Sequence, residues 1–148
     1  MYFEDFTLDQ SYEIDPITIT REQILDFCTK YDPLPLHINE EYAQTARFKG
    51  IIASGILSFM VLWADFIRTQ DPFGPQLVVG MENHLSWSLP VYPNDQLRGT
   101  MRVSQLIPRG RHNGVVEFTA LGFNQKDQQV MESRFKVLMR RRPLESPA

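Results

Sequence analysis

The chain has 148 residues, 43% of them hydrophobic and 22% charged, with a formal net charge of -3 at pH 7. Those values fit one globular domain over residues 1–148 with chain enough for a proper core. The acidic balance argues against a general nucleic-acid binder, which needs a basic face. The single cysteine, Cys28, excludes an intramolecular disulfide and suits a reducing, cytoplasmic setting.

The stretch Met1 to Phe6 carries acids where a signal peptide carries bases, so no export is expected. Tyr12 to Thr18 reads as a short strand. Thr20 then looks like an N-cap, with Gln23 completing a capping box and Ile24, Phe27, Cys28 and Tyr31 forming an apolar stripe. In that stripe Cys28 is a small core residue, not a nucleophile. Asp32-Pro33 stops the helix. The prolines of Asp32-Pro33-Leu34-Pro35-Leu36-His37 hold a loop extended, so that Asp32 and His37, five positions apart, converge on one point. Asn39 caps a short helix whose positive end suits Glu40 and Glu41. Gln44 to Ile52 reads as loop.

Gly55 to Thr69 is apolar nearly all round, from Ile56 through Phe59, Leu62 and Trp63 to Ile67, and a helix without a wet face belongs inside something that wraps it. It falls short of the ~20 residues of a membrane span and contains Asp65, so no membrane insertion is expected. Leu77, Val79, Met81, Leu85, Trp87 and Leu89 recur at period two, which predicts a strand with one buried face that Asn83 interrupts. Three more strands are expected over Gln96 to Ile107, Gly114 to Asn124 and Gln129 to Met139, separated by turn-forming clusters and joined as an antiparallel meander. Arg140-Arg141-Arg142 reads as a solvated edge, with contact to a nucleotide phosphate as the alternative reading. No group of His, Cys or carboxylates has a metal-like spacing, and there is no phosphate loop or nucleophile elbow.

A carboxylate, a histidine and a helix N-terminus aimed at one spot can move a proton and stabilise an oxyanion, which points to an enzyme. Three ordered pieces carry a family likeness: Asp32 through Ala43 as Asp-x-x-Pro-Leu-His-Ile-Asn-Glu-Glu-Tyr-Ala, then Ala53-Ser54-Gly55, then Leu85 to Asp95 as Leu-Ser-Trp-Ser-Leu-Pro-Val-Tyr-Pro-Asn-Asp. Together they resemble the MaoC-like acyl dehydratases, relatives of the (R)-specific enoyl-CoA hydratases. The resemblance implies an α+β hot-dog domain, a long antiparallel sheet wrapped around a central hydrophobic helix. It also implies a lyase that reversibly hydrates trans-2-enoyl thioesters, enoyl-CoA foremost, to (R)-3-hydroxyacyl thioesters without a cofactor. Asp32 and His37 would then share the proton transfers and hold the reacting water, and the Gly55 amide would polarise the thioester carbonyl.

Ser54, Leu34, Arg47 and Lys49 are the expected substrate contacts, the two cations lying where a CoA phosphate would meet them. Leu34 and Ser54 depart from the family's more usual Asn and His, which bears on the acyl group accepted. The implied partners are an acyl-CoA or acyl-carrier-protein thioester and a second copy of the chain, as a homodimer or dimer of dimers joined sheet edge to sheet edge. Two other functions compete. One is a hot-dog acyl-CoA thioesterase, for which Asp65 is the available carboxylate. The other is a non-catalytic acyl-CoA-binding module, which Leu34 and Ser54 keep open.

Overall fold

A computed structural model describes residues 1–145. Alternating apolar and polar residues build the middle of the sheet as a meander of β3 (Gln96–Arg109), β4 (Asn113–Phe123) and β5 (Gln129–Arg140). β1 (Ser11–Thr18) pairs with β3 on one flank and β2 (Leu77–Trp87) with β5 on the other, all antiparallel, giving the order β1-β3-β4-β5-β2. Helices α1 (Arg21–Tyr31), α2 (Pro35–Ile38), α3 (Glu40–Thr45) and α4 (Gly55–Thr69) all lie between β1 and β2 in the chain. The expected capping box opens α1: the Gln23 N–H donates to Thr20 Oγ1, and the Thr20 N–H donates to the Gln23 carboxamide oxygen.

The concave face of the sheet receives α4, which buries Leu57, Phe59, Leu62 and Phe66. Fully burying a Leu or Phe is worth about 1.5–3 kcal/mol, so this face of α4 is a main source of stability. Beneath it Phe66, Phe73, Phe118 and Phe135 interlock, with the Phe118 and Phe135 rings stacked at 5.3 Å between centroids. Gly122 lets the helix approach the sheet. A β-carbon there would stand 3.1 Å from Leu62 Cδ1 and 2.7 Å from Met131 Cγ.

Two expectations are corrected. The sheet wraps α4 on one side only, and the opposite stripe leaves Ile56 45% and Met60 42% exposed. β2 is also not a strand with one buried face. It is an edge strand, exposed along most of its length, and its pairing with β5 shifts register between Leu77 and Val79 and again between Gly80 and Glu82. Each irregularity flips the alternation, so Val79 pairs with outward Leu138 while Gly80, Asn83, Leu85 and Trp87 share the inward face with Val137, Phe135, Ser133 and Met131. Asn83 does interrupt that face, and its side-chain oxygen accepts a 2.6 Å hydrogen bond from Ser133 Oγ. Among the described residues no helix is long and apolar enough to cross a membrane.

Candidate active site

Asp32 is the residue on which α1 ends. Its N–H still donates to the Cys28 carbonyl at 3.0 Å, but its backbone has left the helical region. Pro33 and Pro35 follow, and Leu34, preceding a proline, is extended at φ -74°, ψ 140°. The extended loop expected from the prolines stops there. Pro35 occupies the first position of α2, where a helix does not need its N–H, so His37 lies on a single helical turn and is only 6% exposed.

The imidazole is held from behind. His37 Nδ1 lies 2.6 Å from the Ile52 carbonyl oxygen. A carbonyl can only accept, so Nδ1 carries the proton and donates it. The other nitrogen, Nε2, then turns its lone pair toward Asp32 Oδ2 at 3.4 Å. With His37 neutral and Asp32 ionised, neither has a hydrogen to offer the other. A water donating one O–H to each would satisfy both acceptors.

The segment that supplies the Ile52 carbonyl is fixed from both sides. The Ile52 N–H donates to the Leu36 carbonyl at 3.3 Å, and the Ala53 N–H donates to the Val91 carbonyl at 2.8 Å. The Leu-Pro-Val stretch after β2 therefore sets where α4 begins, two residues beyond Ala53. Gly55 is the first residue of α4, so its N–H has no intrahelical partner and stands at the positive end of the helix dipole. A cleft of about 530 Å³ joins these parts, lined by His37, Arg47, Phe48, Gly55, Ser58 and Trp87 among others. The Trp87 indole lies over Gly55: a β-carbon at that position would stand 2.1 Å from Trp87 Cε2.

The model of one protein family, the MaoC like domain, matches residues 5–121. The chain belongs to the MaoC-like dehydratase family. This MaoC-like chain is 36% identical over 108 residues to the (R)-specific enoyl-CoA hydratase of Rhodospirillum rubrum, covering 72% of each. It is 31% identical over 142 residues to the uncharacterized protein YdeM of Bacillus subtilis, covering 95% of this chain and 100% of that one. In three dimensions it is similar to the MaoC-like dehydratase of Rhodospirillum rubrum, with a TM-score of 0.87 at 27% identity, covering 97% of this chain and 99% of the other. The α+β architecture is the hot-dog fold.

Of the residues singled out in the MaoC-like motifs, His37, Gly55 and Arg47 line the cleft together, the Arg47 guanidinium 5.8 Å from the Phe48 ring centre, and Asp32, outside the lining, meets the site through its 3.4 Å approach to His37. Ser54 does not line the cleft. Its hydroxyl is buried and has no hydrogen-bond partner. Leu34 is 50% exposed and Lys49 sits in a left-handed turn at φ 62°, both outside the cleft lining. Asp65 lies beside Glu13, Asp15 and Gln70 in a separate hollow that excludes His37. Cys28 is buried in the α1 stripe. Burial pushes its thiol up, the Ser54 backbone offers a hydrogen bond that works against this, and the Asp32 charge adds to the rise.

Trp87, Ser58 and Phe48 are lining residues that the sequence reading did not single out. Trp87 had a visible signal, a bulky aromatic placed just before the Leu-Pro-Val-Tyr-Pro stretch. Ser58 had a subtler one, a hydroxyl four residues into an apolar helix, where it shares a face with the region of the helix start.

Proposed function

We propose that this chain is a hydro-lyase that adds water reversibly across the double bond of a trans-2-enoyl thioester, giving a (R)-3-hydroxyacyl thioester. The observation that carries the reading is the 3.4 Å approach of Asp32 Oδ2 to His37 Nε2, with Nδ1 committed to the Ile52 carbonyl. A water held between Nε2 and Oδ2 offers both its hydrogens to the protein and turns its lone pairs outward to an electrophile. His37 Nε2 takes one proton as the water oxygen bonds to the β carbon. The electron pair of the double bond moves onto the thioester oxygen, where the Gly55 N–H stabilises the developing enolate. The proton returns from the Asp32–His37 pair to the α carbon, and the net change is H on one carbon and OH on the other. Thioester conjugation already makes the β carbon electrophilic, so no cofactor enters the scheme.

Phe59 and Trp63 lie four and eight residues along α4 from Gly55, about 6 and 12 Å at 1.5 Å per residue. They share an apolar hollow of about 340 Å³ with Gly80, Asn83 and Phe135. The acyl tail would run that way, while Arg47 at the cleft meets the CoA or carrier-protein arm. A second copy of the chain is the partner we propose. β2 is an 11-residue edge strand with Val78, Val79 and Met81 exposed, and its unpaired backbone groups are a template for another strand. The uncovered α4 stripe of Ile56 and Met60 would be covered by the same association. The test is the ultraviolet absorbance of the enoyl band of crotonyl-CoA. Its loss on adding the protein, with 3-hydroxybutyryl-CoA of (R) configuration as product, supports the reading. An unchanged band, or release of free thiol without hydration, defeats it.

A further inference from the structure

The end of the sheet farthest from His37 is rich in cations. A hollow of about 530 Å³ there is lined by Arg111, His112, Asn113 and the run Arg140-Arg141-Arg142. Arg141 and Arg142 are matched, pairing with Glu4 and Asp5 of the N-terminal turn. Among the described residues the other guanidiniums of this end have no acidic partner. Arg111 makes no ion pair, Arg140 donates only to the Pro75 carbonyl, and Arg109 reaches only the Met81 sulfur, at 3.9 Å. Arg111 and Arg140, both without an acidic partner, line this hollow together, and Arg109 lies outside its lining. Guanidiniums without an acidic partner, in a chain whose net charge is -3, are the chemistry that recognises phosphate groups.

The cleft on the same chain cannot use them. Trp87, beside the reacting end, pairs with Met131, whereas Leu77 pairs with Met139, next to Arg140. The ten residue steps from Leu77 to Trp87 span about 33 Å at 3.3 Å per residue, which exceeds the reach of an extended phosphopantetheine arm. A partner subunit changes the geometry. Antiparallel pairing of two β2 edges reverses one copy, so the Trp87 end of one lies beside the Leu77 end of the other. β5 is the strand next to β2, so Arg140 of the partner subunit sits two strand spacings away, about 10 Å, and the partner's β3–β4 hairpin about 5 Å beyond. Those distances suit an arm whose thioester is held at Gly55.

We propose that the arginine-lined hollow formed by the β3–β4 hairpin and the end of β5 binds the nucleotide phosphates of a CoA thioester whose acyl group occupies the partner subunit's cleft. This rests on the hydratase reading and on the edge-to-edge dimer. The site would be incomplete in a single chain.

The test compares crotonyl-CoA with the crotonyl thioester of N-acetylcysteamine, which keeps the reacting group and lacks the nucleotide. Arg111→Glu is expected to lower the ratio of kcat/KM for the two substrates by about ten-fold, through KM for crotonyl-CoA. Mixed dimers then locate the effect. In a dimer of wild type with Asp32→Asn/Arg111→Glu, the live cleft faces the altered hollow and the ratio should be low. In a dimer of Arg111→Glu with Asp32→Asn, the live cleft faces an intact hollow and the wild-type ratio should return. A ratio that is unchanged by Arg111→Glu, or that follows the chain bearing the live cleft, would overturn the proposal while leaving the hydratase reading intact. A wild type that turns over neither thioester would overturn both.

Discussion

Replacing Gly55 with alanine tests the contact that closes the helix start. The new methyl would stand 2.1 Å from Trp87 Cε2 and 2.2 Å from Nε1, where carbon atoms prefer about 3.5–4.0 Å. The indole must therefore retreat by about 1.5 Å. Overpacking costs about 1–3 kcal/mol, and Trp87, 49% exposed on an edge strand, can swing aside, which puts the cost near 1 kcal/mol. For a chain of this size that lowers the melting temperature by about 2–4 °C. In a Trp87→Ala background the clash is gone, and alanine in a helix is better than glycine by roughly 0.5–1 kcal/mol, so the same substitution should be neutral or stabilising. Activity should fall about 10–10²-fold in Gly55→Ala, as expected of an ångström-scale misplacement at a reacting site, and recover in part in the double variant. Thermal melts of the four proteins and kcat/KM on crotonyl-CoA supply the cycle. Equal melting shifts in both backgrounds would refute the contact.

Ser54→Ala should hold or raise stability, by up to about 1 kcal/mol, because the hydroxyl is buried without a partner and makes no capping bond; a melt that drops by several degrees would show that the hydroxyl is satisfied. Cys28 is buried and its thiol is held above the ordinary range chiefly by burial, so iodoacetamide at pH 8 should modify the unfolded chain and spare the native one, as read by mass. Sedimentation should find a dimer, and Met60→Glu, which places a charge on the uncovered α4 stripe, should shift it to monomer; a wild type that sediments as a monomer would end the edge-pairing proposal.

The features legible in the sequence are those whose causes are local. The α1 capping box needs only Thr20 and Gln23, and the start of α4 needs only Gly55 and the apolar run after it. The β3–β4–β5 meander follows from alternation and turn residues. What escaped depends on distant contacts. The His37 tautomer is set by a carbonyl 15 positions away, and nothing near His37 in the chain announces it. The alternation along β2 fails at Val79 because the register shifts between Leu77 and Val79, and a second shift between Gly80 and Glu82 returns Leu85 and Trp87 to the inward side. Ser54 looked like a substrate contact because it adjoins Gly55, yet neighbouring residues at a helix start point in different directions, and its hydroxyl is turned into the protein. The prolines did restrict the segment around Asp32, but Pro35 served as the first residue of a helical turn rather than extending the loop.

The holding of water between Asp32 and His37 is the central claim, and paired substitutions test it most directly. Asp32→Asn removes the carboxylate acceptor and His37→Gln removes the imidazole lone pair, each with little change in volume. Rates of crotonyl-CoA hydration should fall about 10²–10⁴-fold in each. The double variant should lose little more than the worse single one, because the two groups act as a unit. Folded single variants that hydrate crotonyl-CoA at near wild-type rates would contradict the account.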